Sequence, residues 1–299
     1  MISSPFLDGR DRYERSMEGW IDNSHADAFT HTVRLGDDDV SIELSAVCTP
    51  SPDYEVRTAT GRILSGPVDP ALLPALAGLR GARMIGGFTR RLAEVTGARA
   101  GGGLFVDAGV EIARLARQAA KLPAAAVASF RPGDAGQCWE LDSTSWADLP
   151  NSCFTYSAAG RALLGTRPVT TPMVPELYCP PAGAKRIFHR RKLARLVRTG
   201  PRLDLFNAMH DNVHGFDVHY EVDLDRGRIA AAHSITSRLP YRGICDEPQR
   251  KIDALIGERV DALLRRRIQG AIGGEGGCAQ LYDLTADLLR LLTLPEPAA

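Results

Sequence analysis

Residues 216–222 read FDVHYEV, and residues 40–46, an offset of 176, read VSIELSA. Phe216, Val218, Tyr220 and Val222 alternate with Asp217, His219 and Glu221, just as Val40, Ile42, Leu44 and Ala46 alternate with Ser41, Glu43 and Ser45. A period of two marks a half-buried strand. Slipping a strand by one residue would exchange its faces, so matched alternation means matched register in two halves of the chain. At this offset, residues 13–116 align without a gap on 189–292, with 13 identities in 104 pairs. Composition alone gives about 6% per pair. The identities include Arg15/Arg191, Gly101/Gly277, Asp107/Asp283 and Arg114/Arg290.

Turn chemistry repeats as well. GDDD (36–39) falls on NVHG (212–215), and TPSP (49–52) on DRGR (225–228), so each half reads as a meander of three strands. Helices follow. Residues 248–269 place Ile252, Leu255, Ile256, Val260, Leu263, Leu264 and Ile268 near a 3.6 period, with arginines 265–267 at the expected end. Residues 279–292 predict another helix, with Leu281, Leu284, Leu288, Leu291 and Leu292. The expected fold class is α+β: a tandem repeat of an antiparallel meander with two helices packed on one face, the repeats related by a pseudo-two-fold. Residues 1–116 and 189–299 form the repeats. Residues 117–188 form a Pro/Gly-rich connector, with SCFTYS (152–157) as a short strand, and the tail PEPAA frays.

Lys+Arg and Asp+Glu both total 36. This balance argues against general electrostatic binding to nucleic acid or membrane. The basic run 186–195 is expected to be solvated or ion-paired. The charged start, MISSPFLDGRDRYERS, lacks the apolar core of a signal peptide, and no window approaches the roughly 18 apolar residues of a span. A cytoplasmic chain follows, its six cysteines expected to be reduced thiols or ligands, and no C-x-x-C pair encodes a local zinc site.

The chemistry concentrates around GGEGGCAQL (273–281). Cys245 and Cys278 each precede a predicted helix, where the macrodipole favours a thiolate. With His219 they could hold a divalent metal such as zinc or iron, His210, His214 and His233 being other donors. Alternatively, one thiol is a histidine-activated nucleophile. Or Gly276, Gly277 and Gln280 seat a carboxylate or phosphate at the helix start. A two-residue turn at Arg226–Gly227 would put Tyr220 opposite His233, on the apolar face. Cys138, Cys153 and Cys179 read as structural. The glycine-rich run lacks the preceding strand and spacing of a Rossmann or P-loop motif.

The turn Pro240, Tyr241, Arg242, Gly243, Ile244, Cys245 and the run Gly273, Gly274, Glu275, Gly276, Gly277, Cys278, Ala279, Gln280, Leu281 resemble the two motifs of a bacterial family of uncharacterised proteins, domain of unknown function 2889. That family has one residue fewer in the turn and a histidine where this chain has Gln280. It also carries a strand histidine, for which His214 and His219 are the options. The first half fits more loosely, with Asp69 and Gly102 at the cysteine positions. The resemblance supports the fold and the site's location. The functional expectation is an enzyme of organic-acid, acyl or aromatic small-molecule catabolism with a thiol/histidine site in the second repeat, in a possible homo-oligomer. The alternative is a non-catalytic binding or assembly protein.

Overall fold

The computed structural model describes residues 2–296. Eight strands form one antiparallel sheet: β1 (Arg12–Asp22), β2 (Phe29–Gly36), β3 (Ser41–Cys48), β4 (Val56–Ser65), β5 (Phe188–Thr199), β6 (Arg202–Asp211), β7 (Gly215–Asp223) and β8 (Arg228–Arg238). Their order is β4-β3-β2-β1-β5-β6-β7-β8. Each half is thus a four-stranded meander, one strand more than the sequence predicts, and the halves join where β1 pairs antiparallel with β5.

The described residues also form nine α-helices. These are α1 (Leu72–Ala75), α2 (Phe88–Thr96), α3 (Gly102–Leu115), α4 (Ala124–Val127), α5 (Ala135–Ser145), α6 (Ala158–Leu163), α7 (Asp246–Gln249), α8 (Leu264–Ile272) and α9 (Ala279–Leu289). The offset of 176 carries α2 onto α8 residue for residue, and α3 onto α9 within two residues at each end. Helix α3 packs on β1, β2 and β3, and α9 on β6 and β7, with α2 packed against α3 and α8 against α9. The fold is the expected α+β repeat. Among the described residues no helix is long and apolar enough to cross a membrane.

The seam between the halves explains the retained charges. Arg114 on α3 reaches Asp283 on α9 at 3.0 Å, and Arg290, just past α9, pairs with Asp107 on α3. These are reciprocal pairs of two repeat positions, as a two-fold interface requires. Lys192 on β5 joins Glu111 at 2.7 Å and also pairs with Asp287. Arg190 and Lys192 of the basic run are therefore ion-paired, while Arg191 stays exposed.

Four local expectations change. The 248–269 pattern is not one helix: α7 runs into a 3-10 turn (Arg250–Leu255), Gly257 adopts a φ of +85°, and the arginines 265–267 start α8 rather than end a helix. The left-handed glycine lets the chain turn and bridge Arg228 through Arg259. In the connector, SCFTYS holds a 3-10 turn (Phe154–Tyr156), and the segment forms short helices instead of strands. The β7–β8 turn is longer than two residues: Val222 pairs with Ile229, and a bulge follows, so Tyr220 faces Ala232 and His219 faces His233. His233 thus lies on the outer face. Of the tail, Pro295 accepts a hydrogen bond from Ala262, and residues 297–299 lie outside the described residues.

Candidate functional site

The buried side chains of Phe216, Val218, Tyr220 and Val222 on β7 point towards the helices, so His219 points away from them. His219 lies on the uncovered sheet face, where Nε2 is 3.2 Å from Asp204, in a shallow depression with Arg12, Arg195 and Phe206. The sheet therefore separates His219 from Cys245 and Cys278, and the three do not form one site. Strand periodicity enforces this. Among the described residues no three His, Cys, Asp or Glu side chains converge to hold a metal ion.

Cys245, Cys278, Gly277 and Gln280 do come together, in a cavity of about 320 Å³. Its apolar wall includes Trp146, Met173, Val213, Phe216 and Leu239, and its polar groups include Asp142, Tyr156 and His214. The second repeat supplies one side; the connector supplies the other, including Cys153. Phe154 N–H donates to the Gly277 carbonyl at 2.8 Å, tying the connector to the glycine turn. The glycines serve that turn. A Cβ on Gly277 would stand 2.1 Å from the Ile272 carbonyl oxygen, whereas one on Gly276 would meet only the end of Lys251. Gly277 is thus a backbone necessity.

Burial decides the protonation of the thiols. Cys278 is the N-cap of α9, and its Sγ accepts from Leu281 N–H at 3.5 Å. Even so, desolvation pushes its pKa up to about 11. Burial also raises Cys245, despite the hydroxyl of Thr155 2.9 Å from its Sγ, and Cys153. Loss of hydration outweighs the helix end, so these groups are neutral thiols near pH 7 and not the thiolates expected from sequence.

The ionic chemistry belongs to other residues. Asp211, at the end of β6, is buried with Arg190 beneath the β6–β7 turn. Arg190 Nε donates to Asp211 Oδ2 at 2.8 Å, and the backbone N–H groups of Val213 and His214 donate to Oδ1 at 2.8 and 2.6 Å. Burial would raise the carboxyl, but His214, Arg190 and these donors hold it well below the usual range. His214 Nδ1 lies 3.1 Å from the same carboxylate. An ionised carboxylate only accepts, so Nδ1 carries a proton, and in the neutral ring Nε2 keeps its lone pair. His214 is 8% exposed and lines the cavity, and Nε2 has no protein partner among the described residues.

Deeper in the wall, Asp142 on α5 is fully buried. It accepts from Tyr178 at 2.6 Å, Tyr156 at 2.7 Å and Tyr241. Desolvation still dominates and pushes its pKa up to about 6. His214 and Asp142 line the same cavity.

The comparisons with known proteins meet this geometry at one point. Residues 200–292 match the model of the family described as "Protein of unknown function (DUF2889)". The match spans β6 to α9 and lies wholly in the second half, which carries His214, Cys245 and Cys278. No curated protein and no solved structure matches the chain. Of the two options for the family's strand histidine, only His214 shares a cavity with both cysteines. Sequence reasoning missed Asp142 and Tyr156, because the connector carries no period that would reveal what it covers. Asp211 had a usable signal: an Asp three residues before a histidine in a tight turn.

Proposed function

We propose that the chain is an enzyme that moves a proton on a small, largely apolar molecule, with His214 as the general acid–base. The carrying observation is the Arg190–Asp211–His214 chain, which fixes the tautomer and leaves Nε2 facing the cavity. A histidine oriented by a buried carboxylate is a recurrent device for proton transfer. A cavity of about 320 Å³ has room for a ring-sized molecule and is walled mainly by apolar side chains. The reaction class is isomerisation or elimination: His214 takes a proton from carbon and returns it to another atom of the same molecule. Asp142 and Tyr156 add a polar edge to the cavity, and Tyr178 and Tyr241 hold Asp142 from behind. The neutral thiols contribute packing and polarisable contact rather than nucleophilic attack.

The test is proton exchange. Small cyclic and aryl ketones are incubated with the protein in D2O, and loss of the α-proton signal is followed by NMR. The protein should accelerate exchange for at least one ketone, and His214→Gln should abolish it. Exchange that persists in His214→Gln, or that the native protein fails to accelerate for the whole series, removes the reading.

A further inference from the structure

We propose that the N-terminus of α9 is the seat for the substrate's carbonyl oxygen, so that the substrate class is a neutral carbonyl compound whose oxygen becomes an enolate. This deepens the acid–base reading of His214 and rests on it.

Helix α9 has 11 residues, and Gly277, Cys278, Ala279 and Gln280, which open it, all line the cavity. The first N–H groups of a helix have no partner within it. Cys278 N–H is spent on the Ile272 carbonyl at 2.8 Å, and Leu281 N–H reaches only the Cys278 sulfur at 3.5 Å. Ala279 N–H makes no hydrogen bond among the described residues, nor does the side-chain amide of Gln280. Free donors at a helix N-terminus favour a developing negative oxygen. The second observation is independent: His214, more than nine-tenths buried, faces the same cavity with Nε2 unpartnered. The same cavity thus holds a base and a place for the charge that the base creates.

The step balances without a co-reactant. His214 Nε2 takes the α-proton, the C–H electron pair becomes the C=C bond, and the C=O π pair moves onto oxygen at the Ala279 N–H. Return of the proton from the imidazolium reverses the charge. The paired charges favour a neutral ground state over a carboxylate. Arg114 and Arg117 line the cavity but are already paired, with Asp283 and Asp148, so neither arginine is free to hold a carboxylate.

Ala279→Pro tests the seat, because it deletes one N–H at the helix position where proline is best tolerated. Cys278 already has φ −120° and ψ 118°, the region that the residue before a proline prefers. Binding of substituted phenols is measured by calorimetry at pH 8, with the matching anisoles as neutral probes. Affinity should rise as the phenol becomes more acidic, and Ala279→Pro should weaken phenolates about ten-fold or more while leaving anisoles unchanged. Retained anisole binding also reports an intact cavity. If the proline variant loses both probes, Gln280→Leu is measured instead and should weaken phenolates selectively. Affinity independent of phenol acidity, or phenolate binding unchanged in Ala279→Pro, overturns the seat. Neither result touches His214, whose failure would show separately as exchange that ignores His214→Gln.

Discussion

Asp211→Asn should be the most informative single change, because it removes one charge from a pair with almost no contact with water. The side chain of Asp211 is 0% exposed and that of Arg190 is 1% exposed. Deleting one partner of a buried pair leaves the other charge uncompensated, at a cost of about 3–5 kcal/mol. With a urea m-value of about 3 kcal/mol/M for a chain of this size, the midpoint should fall by about 1–1.7 M at pH 7. The sign of the pH dependence is fixed. The folded carboxyl is held below its unfolded value of about 3.9, so its contribution is complete above about pH 4 and is lost as pH falls below that. The deficit of the variant should therefore be constant from pH 5 to 8 and shrink in acid. Adding Arg190→Met to Asp211→Asn should recover most of the loss, since replacing a whole buried pair by neutral groups is often close to neutral. Equilibrium urea unfolding at several pH values measures all of this. A loss below about 1 kcal/mol at pH 7, or a double variant as unstable as the sum of the singles, would refute the buried-pair argument.

Asp142 predicts the opposite slope. Its folded pKa is raised to about 6, so the folded state binds the proton more tightly and stability falls as pH rises from about 4 to about 6. Asp142→Asn should lack that slope of up to about 1.4 kcal/mol per pH unit, and a variant profile parallel to the native one over this window would remove the assignment. Thiol titration supplies the remaining check. With Cys278 raised to about 11, labelling in the native protein at pH 7.5 should be roughly 10²–10³-fold slower than for a free thiol, and Cys245 slower still. Rapid native labelling at either residue would restore the thiolate mechanism that burial argues against.

Local periodicity made much of the fold legible. The alternation in FDVHYEV and VSIELSA is a property of one strand at a time, and the offset of 176 needs no tertiary information. The splitting of residues 248–269 was hidden because an apolar period of 3.6 survives a left-handed glycine at 257, where the backbone departs from a helix without disturbing the side-chain pattern. The candidate site divides the same way. Cys245 and Cys278 were legible as helix starts, and both line the cavity. His219 is legible as a histidine of an alternating strand, but strand geometry puts it on the face that the helices leave bare. His214 was distinguishable only once Asp211 and Arg190 were seen beneath it.

The sequence by itself determined the repeat, the register of its strands and the glycine turn before Cys278, because each depends on backbone conformation and on the spacing of apolar side chains. Only the tertiary structure decided which histidine shares a cavity with the thiols, that those thiols are neutral, and that the connector closes the cavity with Asp142 and Tyr156. These outcomes depend on desolvation and on contacts between segments up to some hundred residues apart, such as Tyr241 on Asp142. Burial is a property of the assembled fold, and it keeps the thiols of this site neutral.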